Sequence, residues 1–218
     1  MEYLIYCTIL NLKLSEILKL DNYQVVTNVV QRSNRGGKSA VIVNTDKYYV
    51  KELCPDPITV PIGVEVVWAM LLPKYNRNNK HNINNIAVAS IYSKPRSRKK
   101  KVLLDHIAET YNFLAAKYGD NLNFILAGDT NDLKLEPITL LSPNMKQVVT
   151  GFTRHNPDAM LDPIFTTLSK FYQQPDIKPP LDNDPDKNGR PSDHHIILMK
   201  PITSHQNAPA RSPPCGQL

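Results

Sequence analysis

The chain has 218 residues, a formal net charge of +6 and a pI near 9.1, with 41% hydrophobic and 21% charged residues. That length holds one sizeable α/β domain with its own core but not two ordinary ones, and the mild basicity is compatible with a polyanionic partner. Cys7, Cys54 and Cys215 are odd in number and too dispersed for a disulfide framework or a C-x-x-C zinc site, which points to a reducing, intracellular compartment.

The opening MEYLIYCTILNL is apolar but has no basic flank or small-residue cleavage site. It breaks at Asn11 and Lys13, well short of the roughly 20 residues a membrane span needs. It reads as a core strand or helix fragment, and no membrane partner is expected. A weak helix is expected over residues 15–20. Short β-branched runs then predict strands at 39–43 (SAVIV), 64–72 (VEVVWAMLL), 86–92 (IAVASIY), 123–127 (NFILA), 161–167 (LDPIFTT) and 195–199 (HIILM). Before the fourth, Leu103, Ile107, Tyr111, Leu114 and Tyr118 recur at helical spacing, and Gly119 supplies the stop. Strands outnumber helices, so residues 1–203 read as one sheet-rich α/β domain. Residues 204–218 lack periodicity and are expected to be disordered.

Four constellations carry chemistry. In NFILAGDTND a buried strand ends at Ala127 and Gly128 turns the chain, so Asp129, Asn131 and Asp132 emerge at the carboxyl end of a strand. Carboxylate and carboxamide oxygens suit Mg²⁺, and the same residues suit an Asx-turn or a helix N-cap. In PSDHHIILM, Asp193 and His194 precede another apolar run, where an acid can orient an imidazole or hold it protonated; an exposed, idle His is the alternative. Asp162 lies between apolar neighbours and needs a partner if buried. His194 would be one; a turn cap before Pro163 is the other reading. Finally, Tyr92 ends a strand and Lys94, Arg96, Arg98, Lys99, Lys100 and Lys101 follow directly. Cations at a helix start oppose the helix dipole, so this cluster suits a phosphate backbone, a solvated loop or a nuclear-import patch better than the helix itself.

Two other stretches are decoys. RGGKSA lacks the first glycine of a phosphate-binding loop and precedes a strand, not a helix. DNDPDKNG has Lys187 where a calcium loop needs glycine.

Taken in order, RGGKSAVIV, VEVVW, ASIYSKP, ILAGDTND, LDPIFT and PSDHHIIL resemble the endonuclease/exonuclease/phosphatase superfamily, and most of all its non-LTR retrotransposon endonuclease domains. The resemblance implies a four-layer α/β/β/α sandwich with two mixed β-sheets. It also implies a DNA-nicking hydrolase that uses Mg²⁺ or Mn²⁺ and acts on DNA as a monomer. In full-length relatives of that type a reverse transcriptase follows. The implied roles are phosphate contact for Tyr92, placement of water and phosphate for Asp129 and Asn131, orientation of His194 by Asp162, and metal binding for Asp193. Asp132 is left as a turn or capping residue. One departure bears on activity: where the resemblance requires a metal-binding Glu after an Asn-bearing strand, this chain has Thr8, Ile9 and Leu10. That implies missing first strands and an inactive domain. A dead nucleic-acid binder and a small-molecule or lipid phosphatase are the alternative functions.

Overall fold

The computed structural model describes residues 21–27, 39–54, 56–74, 85–154, 158–180 and 194–202, and the backbone of Ile5–Ile9. The helix expected over 15–20, the acidic run 182–189, Asp193 and the tail from residue 204 lie outside the described residues.

In chain order the described elements are β1 (Ile5–Ile9), β2 (Tyr23–Thr27), β3 (Ser39–Asn44), β4 (Tyr48–Glu52), β5 (Glu65–Pro73) and β6 (Asn85–Tyr92). They continue with α1 (Lys100–Tyr118), β7 (Leu122–Asp129), α2 (Glu136–Thr139), β8 (Lys146–Gln147), β9 (Ile164–Thr166), β10 (Asp176–Lys178) and β11 (Ile196–Leu198). Runs apolar at nearly every position, such as β5, β6 and β7, are satisfied only inside a sheet covered on both faces. These three form the middle of a six-stranded sheet of order β4-β5-β6-β7-β9-β8. Its one parallel pair is β6 with β7, bridged by the α1 crossover, and its other pairs are antiparallel, so the sheet is mixed. β1, β3 and β2 form a second, antiparallel sheet with β3 in the centre, and β10 pairs with β11.

The alternation of a strand divides the central sheet into two cores. Val66, Trp68, Met70, Ala87, Ala89 and Ile91 face α1 and meet Leu103, Ile107 and Leu114. Val67, Ala69, Leu71, Ile86, Val88, Ile125 and Ala127 face the second sheet and meet Val26, Val41 and Val43. Fully buried Trp68, Phe124 and Phe165 each contribute roughly 1.5–3 kcal/mol of transfer free energy. Trp68 stays satisfied because its indole N–H donates to His106 Nε2 at 3.1 Å inside the helix–sheet layer. The described residues thus supply a helix layer and two face-to-face sheets of the α/β/β/α arrangement. Among them no helix is long and apolar enough to cross a membrane.

α1 matches its sequence pattern, with Leu103, Ile107 and Leu114 buried and its end at Gly119, where φ is +54°. Three details differ from expectation. β2 and β4 arise in stretches with no clear apolar run. β9 begins only at Ile164, because Pro163 has no N–H and the N–H groups of Leu161 and Asp162 both donate to Thr153 Oγ1 at 2.9 Å. And β7 continues to Asp129, so Gly128 lies within the strand and does not turn the chain. With φ +142°, a Cβ at Gly128 would stand 2.0 Å from the Ile91 carbonyl oxygen; glycine lets β7 lie close against β6.

Candidate active site

Register across the central sheet assembles the site. Glu65 pairs with Tyr92 between β5 and β6, and Tyr92 pairs with Asp129 between β6 and β7. Continuing the β7–β9 pairing Ala127–Ile164 by two residues brings Asp162 opposite Asp129. Because Val67, Val88, Ala127 and Ile164 all face the second sheet, this acid–phenol–acid–acid row lies on that face, at the end where β6 and β7 finish. Thr130 locks the corner, giving both its N–H (2.7 Å) and its hydroxyl (2.9 Å) to the Leu161 carbonyl.

Asp129 is 5% exposed, and burial, reinforced by the negative charge of Asp162, pushes its carboxyl up to about 6. His194 and the Asn131 N–H oppose that rise. Asn131 N donates to Asp129 Oδ1 at 3.0 Å, so the Asx-turn foreseen as an alternative is present together with the buried carboxylate. Asn131 takes φ +45°, which Asn tolerates, and its side-chain amide donates to the Ser93 carbonyl at 3.0 Å, tying the loop after β7 to the loop after β6.

The partner that partly buried Asp162 requires is His194, whose Nδ1 stands 2.9 Å from Asp162 Oδ2 and 3.2 Å from Oδ1. An ionised carboxylate only accepts, so in this pair Nδ1 carries a proton. Thr153, fully buried, completes the unit. Its hydroxyl donates to Asp162 Oδ2 at 2.8 Å and accepts the Leu161 and Asp162 N–H groups, and its carbonyl accepts the His195 N–H at 2.7 Å. Nothing in its sequence context marks Thr153.

Tyr92 is half-buried and its phenol is raised, by burial first and then by Asp129 and Glu65, so it is a neutral hydrogen-bond donor at ordinary pH. Glu65, also missed by the sequence reading, is raised by burial and pulled back by Lys94. Asp132 points away from the row. It forms a 2.5 Å ion pair with Lys100 and accepts the Arg96 N–H, holding the basic loop against the loop after β7. The six cations therefore divide. Lys100 and Lys101 are paired with Asp132 and Asp105, while Lys94, Arg96, Arg98 and Lys99 carry no ion pair among the described residues.

A divalent cation needs several hard oxygen ligands. Among the described residues no group of three His, Cys, Asp or Glu side chains could hold one. Asp162 spends both oxygens on His194 and one of them also on Thr153, and Asp129 is drawn toward its neutral form. The described residues alone do not fit the ion, and Asp193, its expected ligand, lies outside them.

No protein-family model and no curated protein sequence matches the chain. Solved structures do. The endonuclease domain of TRAS1, a telomere-specific non-LTR retrotransposon, is 15% identical with a TM-score of 0.55 over 84% of this chain and 79% of that one. TDP2 of D. rerio, solved with a single-strand DNA product, is 14% identical with a TM-score of 0.56 over 91% and 85% of the two chains. An endonuclease/exonuclease/phosphatase family protein from Leptotrichia buccalis is 13% identical with a TM-score of 0.50 over 93% and 86%. The chain has the endonuclease/exonuclease/phosphatase fold.

Proposed function

We propose that this chain is a phosphodiesterase domain that nicks DNA, of the retrotransposon endonuclease type. The observation that carries the proposal is the convergence of Asp129, Asn131, Tyr92 and the Asp162–His194 pair at one end of the central sheet. In-line displacement at phosphorus needs a base for the attacking water and donors for the charge that develops on the phosphoryl oxygens. Asp129, ionising near 6, is a base matched to neutral pH and takes the proton as the water oxygen bonds to phosphorus. His194, when protonated on both ring nitrogens, gives its Nδ1–H to Asp162 and its Nε2–H to a phosphoryl oxygen, and the Tyr92 hydroxyl donates from the adjoining strand. The bond to the leaving 3′ oxygen then breaks, and that oxygen takes a proton from solvent water to leave as a hydroxyl. Likeness in fold to the TRAS1 endonuclease and to TDP2 supports a nucleic-acid substrate.

The test is nicking of supercoiled DNA with Mg²⁺ or Mn²⁺, the ions the family resemblance implies. Activity that disappears in Asp129→Ala and His194→Ala supports the assignment; nicking that survives both rejects it. A second reading, a domain that binds DNA without cutting it, is favoured by the poor fit of the described residues to a cation. It predicts salt-sensitive binding with no nicking in either metal.

A further inference from the structure

Among the described residues, three buried side-chain atoms have no hydrogen-bond partner: Ser39 Oγ, Ser90 Oγ and His195 Nδ1. The two serines fall together. Ser39 is 8% exposed and Ser90 is fully buried. Ser90 shares a face of β6 with Val88, which meets the second sheet, and Ser39 shares a face of β3 with Val41 and Val43, which meet the central sheet. β3 packs against β5 and β6, so both hydroxyls enter the one layer between the sheets. Their level in that layer agrees as well. β3 ends at Asn44 and turns through residues 45–47 into β4, whose first residue, Tyr48, pairs with Pro73. Counted from that turn at about 3.4 Å per residue, Ser39 lies about 17 Å along β3. Ser90 pairs with Val67, which lies about 20 Å along β5 from Pro73.

A buried hydroxyl left bare is costly, and such groups are normally satisfied. Facing sheets stand about 10 Å apart, a depth that two serines are too short to close by bonding to each other. Ala127, paired with Ser90 on β7, is short as well. A water molecule spans such a gap and makes about three hydrogen bonds when buried, so a third polar group is expected beside the serines. Asp129 is that group. It lies on the face of β7 that carries Ala127, one pleat nearer the site, and is itself 5% exposed. We propose that Ser39 and Ser90 hold one internal water between the sheets and that this water donates to the Asp129 carboxylate from below the row. It accepts from one hydroxyl and donates to the other and to Asp129. The site stands apart from the phosphodiesterase reading. Where that reading holds, the water is a fixed donor that orients the base from the side away from the substrate.

The experiment counts long-lived internal waters in the full chain by magnetic relaxation dispersion of the solvent, with water-to-amide NMR cross-peaks at Ser90 and Ile91 as a second readout. The unsubstituted chain should hold one more such water than Ser39→Ala or Ser90→Ala and should show the cross-peaks, which both variants lose. The double variant should lose no more than either single one, because the water is shared. Asp129→Leu removes the third partner without opening a large hole and should shorten the residence time about fivefold, the equivalent of one hydrogen bond of about 1 kcal/mol. An equal count in the unsubstituted chain and the serine variants, a double variant that loses two waters, or an unchanged residence time in Asp129→Leu overturns the proposal. Should one serine variant fail to fold, the other and the cross-peaks of the unsubstituted chain decide, and missing cross-peaks count against the water. None of these measurements reads cleavage. A chain that never nicks yet holds the water keeps this site and loses the phosphodiesterase reading. A chain whose nicking depends on Asp129 and His194 but which holds no such water loses this site alone.

Discussion

Replacing Asp129 by Asn should stabilise the protein while removing the nicking proposed for it. The folded state raises this carboxyl from an ordinary 3.8 to about 6, chiefly by burial. Below both values the group is neutral folded or unfolded and costs nothing. As pH rises through the window between them, the unfolded chain ionises first, so stability falls; above 6 the folded state carries the whole penalty. At 1.36 kcal/mol per pH unit the window corresponds to about 3 kcal/mol as a ceiling. Water at the mouth of the site screens part of it, so a gain of about 1–2 kcal/mol at neutral pH is expected from the Asp129→Asn carboxamide, which can still accept the Asn131 N–H. For a domain of this size that is a rise in Tm of about 2–4 °C per kcal/mol. Urea denaturation of both proteins at several pH values checks it. The two stabilities should converge in acid and separate between about 4 and 7, with the Asp129→Asn variant the more stable and inactive in nicking. A gap that does not change with pH, or a variant less stable at neutrality, refutes the assignment of Asp129 as a buried base.

Thr153→Val removes the donor to Asp162 and the acceptor for two backbone N–H groups, so stability should fall by about 1–3 kcal/mol and kcat should fall more than KM rises, while Thr153→Ser retains both; urea melts and nicking kinetics decide. Gly128→Ala forces a Cβ against the Ile91 carbonyl and should cost about 4 kcal/mol or more, read as loss of soluble, cooperatively unfolding protein. Trp68→Phe leaves His106 Nε2 buried without its donor and should destabilise by about 1–3 kcal/mol in urea, with the nicking pH profile unchanged because the pair lies under α1, outside the site.

Much of the fold was legible because its central strands are buried on both faces. β3, β5, β6 and β7 are apolar runs that could hardly be anything else, and α1 shows its buried face in Leu103, Ile107 and Leu114. β4 was not legible, since YYVKE buries only Tyr48 well and is a strand because β5 pairs with it; β2, YQVVT, depends on β3 in the same way. The length of β9 was misjudged for a comparable reason. The N–H groups that would have extended it belong to Thr153, a residue nine positions away from Asp162 and unremarkable in sequence.

The site divides along the same line. Asp129, Asn131, Asp162 and His194 stand out because a polar group abutting an apolar run must be accounted for, and the structure brings all four together. Glu65 does not stand out, because an acid at the start of a strand is ordinary there. Its significance comes only from register: β5 pairs with β6 so that Glu65 faces Tyr92, and β6 pairs with β7 so that Tyr92 faces Asp129. A shift of one residue in either pairing would send one of these side chains to the α1 face and leave the others without their neighbour. The same register fixes the basic loop beside the row, since Tyr92 and Asp129 end their strands together and Asp132 then reaches Lys100. What orders this chemistry is therefore the pairing of strands far apart in the chain, which local pattern does not encode. A variant that keeps every named acid but slips the β5–β6 register should lose nicking of supercoiled DNA while still unfolding cooperatively in urea; nicking that survives the slip refutes the role given to this register.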